Sequence, residues 1–131
     1  MKKRLLSVVL ALTMVVGSFN VVFAGSNEKT LINADYAYAY AYVECDDHTG
    51  YASTDFYPTS ATASASSSVS ASLYAYTASP VDSASDSSSS AGSLNVSVEL
   101  SYYGSTVSRI SSSHSVTLDG VTTSANIGAS N

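Results

Sequence analysis

The chain alternates small apolar residues with hydroxyl-bearing ones over long stretches. From Thr59 to Thr77, the apolar Ala61, Ala63, Ala65, Val69, Ala71, Leu73 and Ala75 take odd positions, and Ser or Tyr fills most even ones. Successive side chains on a strand point to opposite faces, so a period of two sorts apolar groups to one side of a sheet and polar groups to the other. The stretch from Tyr36 to Tyr42 reads Tyr-Ala-Tyr-Ala-Tyr-Ala-Tyr, the same β period in a simpler form.

The polar residues 25–30 read as loose, and the first strand is expected from about Leu31 to Cys45, with a bend to accommodate its length. Asp46-Asp47-His48-Thr49-Gly50 supplies turn residues, and Tyr51 to Tyr57 reads as a short strand ended by Pro58. The run from Thr59 to Thr77 exceeds the usual strand length of about five or six residues, so a break or bulge is expected at Ser66-Ser67-Ser68. From about residue 78 to 93 the pattern dissolves into serines with two aspartates, which reads as a flexible Ser-rich loop.

Leu94, Val96, Val98, Leu100 and Tyr102 then alternate with polar residues, the clearest half-buried strand of the chain. Gly104-Ser105 turns the chain. Ile110, Ser112, His114, Val116 and Leu118 share the next strand face, and Asp119-Gly120 separates them from Val121, Thr123, Ala125 and Ile127. Asp-Gly between two alternating runs is a strong hairpin signal, because a type I′ turn needs positive φ at both central residues. No helical period follows residue 24. The expected fold is all-β, an antiparallel β-sandwich or open meander, forming a single domain over 25–131.

The first 24 residues differ. Lys2, Lys3 and Arg4 precede an apolar run from Leu5 to about Val16, and Val22-Phe23-Ala24 offers a small-residue cleavage site before Gly25. These are the parts of a helical, cleaved secretory signal peptide, and Gly17, Ser18 and Asn20 interrupt the alternative of a spanning anchor. Secretion to the exterior, with or without attachment to the cell surface, is the expected destination, with no stable membrane insertion after cleavage.

The whole chain of 131 residues carries a formal charge of −5. Beyond residue 24 only Lys29 and Arg109 remain basic, against ten acidic residues. Nucleic acids and anionic membrane surfaces are bound through clustered Lys and Arg, so neither is an expected partner. Cys45 has no second cysteine to pair with, leaving burial as a small hydrophobe or an intermolecular disulfide. Phe56 is the one phenylalanine after residue 24, so the ten tyrosines must supply much of the aromatic burial.

Cys45, Asp46, Asp47 and His48 are adjacent, and each type ligates metals, but four consecutive residues cannot converge on one ion, so no metal or other cofactor is expected. Many serines surround His48 and His114, yet no Gly-x-Ser-x-Gly elbow exposes a nucleophile. A non-enzymatic protein without catalytic residues is therefore expected. Asn95-Val96-Ser97 matches a glycosylation acceptor inside a predicted strand.

The candidate binding residues are Tyr36, Tyr38, Tyr40 and Tyr42, projecting from one strand face, with Tyr74 and Tyr76 elsewhere. Exposed, they form a stripe able to stack on sugar rings or dock a protein or a second copy of the chain; packed down, they are cross-strand pairs that stabilise the sheet.

The basic signal segment, the Tyr-Ala alternation ending in Cys45, the Ser/Ala/Thr strand and the closing Ser-Ser-Ser-His-Ser-Val-Thr resemble small, secreted, Ser/Ala/Tyr-rich proteins of Gram-positive bacteria. That resemblance implies secretion and β structure. His114-Ser115-Val116-Thr117 is also similar to a run in lactococcin-972-like bacteriocins, which implies a secreted antimicrobial protein as the alternative to a module for binding or self-association.

Overall fold

The computed structural model describes residues 25–59 and 65–131. The expected signal peptide and residues 60–64 of the long alternating run lie outside them. Eight strands follow in order: β1 (Ser26–Ala34), β2 (Ala37–Cys45), β3 (Thr49–Pro58), β4 (Ala65–Tyr74), β5 (Asp82–Ser90), β6 (Leu94–Ser101), β7 (Arg109–Leu118) and β8 (Val121–Ser130). They form two four-stranded antiparallel sheets, β1-β2-β3-β6 and β5-β4-β7-β8, consistent with the sandwich rather than the meander.

Alternation decides which face of each strand turns inward. Ala37, Ala39, Ala41, Val43 and Cys45 of β2 are buried, as are Ala65, Val69, Ala71 and Leu73 of β4 and Val96, Val98 and Leu100 of β6. Phe56, Leu73 and Ile110 are the largest apolar side chains sealed in the interior. At roughly 25 cal/mol per Å2 of apolar surface removed from water, these three contribute far more each than any alanine around them. The alanines let the sheets approach. Gly50 shows how closely: a Cβ there would sit 2.7 Å from Leu73 Cδ1 and 2.8 Å from Ile110 Cδ1.

A polar seam crosses this core between its two apolar clusters. His114, 2% exposed, has Nδ1 2.8 Å from Thr54 Oγ1 and Nε2 2.7 Å from Ser112 Oγ. Thr54 donates its hydroxyl proton to the Ser68 carbonyl at 2.9 Å, so it accepts from Nδ1–H. The seam ties the sheets together through polar groups that burial would otherwise penalise.

Three sequence expectations need correction. The predicted bend within Leu31–Cys45 is a full turn at Asp35 and Tyr36, so residues 26–30, read as loose, belong to β1 instead. β4 runs through Ser66-Ser67-Ser68 without a break, its register with β5 and β7 continuous. The Ser-rich segment read as a flexible loop at 78–93 contains β5, paired with β4 from Ser90 to Asp82. β5 is an edge strand exposed on both faces over most of its length, so it has no burial asymmetry to write an alternation into its sequence.

The Asp119-Gly120 hairpin forms as read, with φ of 51° and 77°. Two of the four edge strands, β1 and β5, carry features that oppose pairing with another chain. β1 is irregular between Thr30 and Ile32 and places Lys29 opposite Ala41, on the inward side. β5 places Asp86 opposite Val69, also on its inward side.

Candidate functional site

Because the alanines of β2 face the core, Tyr38, Tyr40 and Tyr42 face outward. Register sets Tyr57, Asp55, Ser53 and Tyr51 of β3 opposite Tyr38, Tyr40, Tyr42 and Glu44. The rings gather in two groups. Tyr40 lies 5.9 Å from Tyr38 and stacks on Tyr57 at 6.3 Å, while Tyr42 tilts against Tyr51 at 6.2 Å. Such pairs add about 0.5–1.5 kcal/mol each beyond area burial. The tyrosines are half-buried, which joins the two readings of the stripe: the rings pack on one another and still present surface.

Their packing covers what lies between them. Ser53 and Asp55 point away from the core yet are only 3% and 4% exposed. Asp55 accepts hydrogen bonds from Ser53 Oγ at 3.1 Å, from the Tyr57 hydroxyl at 3.4 Å and from the Asn95 amide of β6. A carboxylate held under aromatic rings is costly unless bonded, and these donors satisfy it without neutralising its charge.

Above this floor lies a groove of about 340 Å3 lined by Glu28, Tyr40, Tyr42, Tyr51, Ser53, Asp55 and Asn95. Burial pushes the Glu28 carboxyl above the usual carboxylate range, and the negative charge of Asp55 pushes it further. Burial likewise raises Tyr38 and Tyr42, the latter also through the hydrogen bond its hydroxyl donates to Glu44 at 2.6 Å. These phenols stay protonated at neutral pH, as donors with neutral ring faces.

The remaining candidates lie apart from the groove. Tyr36, read as the first member of the stripe, belongs to the β1–β2 turn and is 56% exposed. Its place in the strand is a correction: β1 ends at Ala34, Asp35 and Tyr36 make the turn, and β2 begins at Ala37. Tyr74 is covered by Arg109, whose guanidinium carbon sits 3.8 Å from the ring centroid, a cation–π contact. Tyr76 is 84% exposed in the segment after β4. Tyr51, Tyr57, Asp55 and Asn95 were not among the candidate binding residues read from the sequence. Their signal was present in the β3 segment, where Tyr51, Ser53, Asp55 and Tyr57 share one strand parity, but pairing with the β2 tyrosines is visible only once the register is known.

The second sheet presents a different outer face. Ser87, Ser68, Ser115 and Ser124 align across its four strands, as do Ser89, Ser66, Thr117 and Thr122. A depression of about 580 Å3 lies over this face. Its hydroxyls bond one another, Ser68 with Ser115 at 2.6 Å and Thr117 with Thr122 at 2.7 Å, with Ser113 donating to Asn126 at 2.7 Å. These are cross-strand pairs that stabilise the sheet. The tyrosine groove is smaller but combines ring faces with two carboxylates, Glu28 and Asp55, the stronger chemistry for holding a ligand.

Other chemistry-bearing residues are dispersed. Cys45 is buried and free, its thiol pushed up to about 11 by burial and the Asp46 charge. His48 lies 5.3 Å from the Tyr103 ring, its Nδ1 3.2 Å from the Tyr102 carbonyl. Among the described residues, no group of three or more His, Cys, Asp or Glu is placed to hold a metal. Ser112 and His114 are within bonding distance but only 3% and 2% exposed, beyond the reach of a substrate. Among the described residues, no helix is long and apolar enough to cross a membrane. Comparison with protein-family models, with curated proteins and with solved structures finds no match.

Proposed function

We propose that this protein is a secreted or surface-associated, non-enzymatic β-sandwich module that binds a partner through the outer tyrosine face of the β1-β2-β3-β6 sheet. One observation carries the reading: five half-buried tyrosines gather on adjacent strands, and three of them, Tyr40, Tyr42 and Tyr51, line a groove that includes a buried, hydrogen-bonded carboxylate, Asp55. Tyrosine joins a large apolar face to a polar tip and loses little conformational entropy on contact, which suits it to binding surfaces. The basic and apolar composition of residues 2–16 supports export. The charges Lys29 and Asp86, in inward register on the edge strands β1 and β5, favour partner binding through a face over self-association through pairing of those strands.

The test is retention on isolated cell envelopes, compared between the unaltered protein and a Tyr40→Ser/Tyr42→Ser double variant, with sedimentation of the protein alone as a control. Retention lost in the variant, from a monomeric protein, is the expected result. A protein that stays monomeric at high concentration and binds neither envelopes nor glycans contradicts the reading.

A further inference from the structure

Beyond the tyrosine face, we infer that the free edge of β8 pairs with β8 of a second copy of the chain, joining two sandwiches about a two-fold axis at Ser124. The register shows which backbone groups are open. β1 bonds to the carbonyls of Gly128 and Ser130, from Asn27 Nδ2 at 3.0 Å and the Gly25 N–H at 2.7 Å, so the even-numbered residues of β8 aim their backbone at the free edge. The odd-numbered ones bond to β7 in the antiparallel ladder. Thr122, Ser124 and Asn126 therefore offer backbone N–H and C=O groups that no bond among the described residues reaches, and all three are exposed.

The other edges are guarded. β1 and β5 carry Lys29 and Asp86 in inward register, and β6 exposes Glu99, while Asp82 already accepts the Ser101 N–H at 2.9 Å. The open part of β8 has no charged residue, no proline and no break in its register.

Symmetry identifies the occupant. The open stretch is bounded by the Asp119-Gly120 turn at one end and by the bond from Asn27 to Gly128 at the other, leaving 121–127. Ser124 is its centre, so antiparallel pairing about Ser124 uses the whole stretch in both copies at once. Ser124 then meets Ser124 of the second copy and Thr122 meets its Asn126, giving about six backbone hydrogen bonds from three narrow pairs. Their side chains are short, uncharged and able to hydrogen-bond across the strands. On the opposite side, Val121, 68% exposed in the single chain, meets Ile127 of the second copy. The pairing joins two four-stranded hydroxyl sheets into one. With ten acidic residues against Lys29 and Arg109 beyond residue 24, two copies repel, and an uncharged edge is where they can approach.

So short an edge buries far less than the roughly 1,600 Å2 of a standard interface, which puts the dissociation constant on the order of 0.1–1 mM. Dilute protein, as used for envelope retention, is monomeric.

The experiment combines sedimentation equilibrium of the purified protein, from about 10 µM to about 2 mM, with backbone amide exchange over the same range. A monomer–dimer equilibrium is expected, strengthened by salt that screens the like net charges, with exchange at Thr122, Ser124 and Asn126 slowing as concentration rises. Ser124→Lys places two like charges across the axis and should weaken dimerisation at least about tenfold. Ser87→Lys, on the same sheet face but on the guarded edge β5, should leave it unchanged; both positions are exposed, so each variant keeps its fold by circular dichroism. A protein still monomeric at the highest concentration overturns the inference, as does a dimer indifferent to Ser124→Lys, or assembly beyond a dimer. If the protein stays monomeric but a peptide copying residues 121–127 slows the same amides, the edge receives a partner's strand and the second copy is overturned. None of these outcomes bears on the tyrosine face, which envelope retention judges separately.

Discussion

Acidification should weaken this fold through a single buried side chain. His114 sits in the core, 2% exposed, and burial pulls its imidazole from the ordinary value of 6.5 down to about 4, against the opposing effect of a hydrogen bond to the Ser53 backbone. Between those two values the unfolded chain binds a proton that the folded chain refuses. Stability from this group is therefore complete above about pH 6.5, falls as pH drops toward 4 and levels off below. At 1.36 kcal/mol per pKa unit, the loss is about 3 kcal/mol, a large share of the roughly 5–15 kcal/mol that holds a domain together.

The seam explains why the loss is not larger. Ser112 Oγ lies 2.7 Å from Nε2 and 3.0 Å from the Ile127 carbonyl, so its one proton serves a single acceptor at a time. A protonated ring would donate to Ser112 and free that proton for Ile127. Hydrogen bonds are thus available to the charged form, and loss of hydration is what opposes it. Glu28 works in the opposite direction: its raised carboxyl makes the folded state slightly more favourable as pH falls through its own titration.

Urea unfolding of the unaltered protein and of His114→Gln, at intervals from pH 7.5 to 4, separates these contributions. The variant is expected to be less stable at neutral pH but to lose about 3 kcal/mol less on acidification. Equal pH slopes in the two proteins would refute the reasoning, as would an imidazole titrating near 6.5 in the folded state.

Other perturbations follow from packing and reactivity. Phe56→Ala removes a fully buried ring and should cost about 3–5 kcal/mol in urea unfolding. Gly50→Ala drives a methyl into Leu73 and Ile110 and should cost about 1–3 kcal/mol, a value that Ile110→Val in the same chain should partly restore. Cys45, buried with its thiol pushed up to about 11, should resist a disulfide reagent at pH 8 until denaturant is added; rapid labelling of the folded protein would contradict its placement.

Much of the fold was legible because one-sided burial writes period two into a strand. β2, β4, β6, β7 and β8 each have one face on the core, and each was read on the correct parity. β5 was missed for the physical converse: a serine strand exposed on both faces leaves no contrast between odd and even positions. β1 was half missed because inward positions at this edge include Asn27 and Lys29, and an irregularity at Leu31 breaks the period. The tyrosines of β2 were legible as a stripe, but the groove was not. Asp55 lies in a segment read as a short strand, and its burial comes from rings on its own and neighbouring strands, a property of register that a single segment does not contain.

The central claim, that the tyrosine face binds a partner, is tested most directly by exchanging ring surface on one sheet against hydroxyl surface on the other. Envelope retention of Tyr40→Ser/Tyr42→Ser should fall at least about tenfold, equivalent to about 1.4 kcal/mol, while a Ser68→Ala/Ser115→Ala control keeps its retention and both variants remain folded by circular dichroism. Full retention by the tyrosine variant, or equal loss in the serine control, would contradict the account.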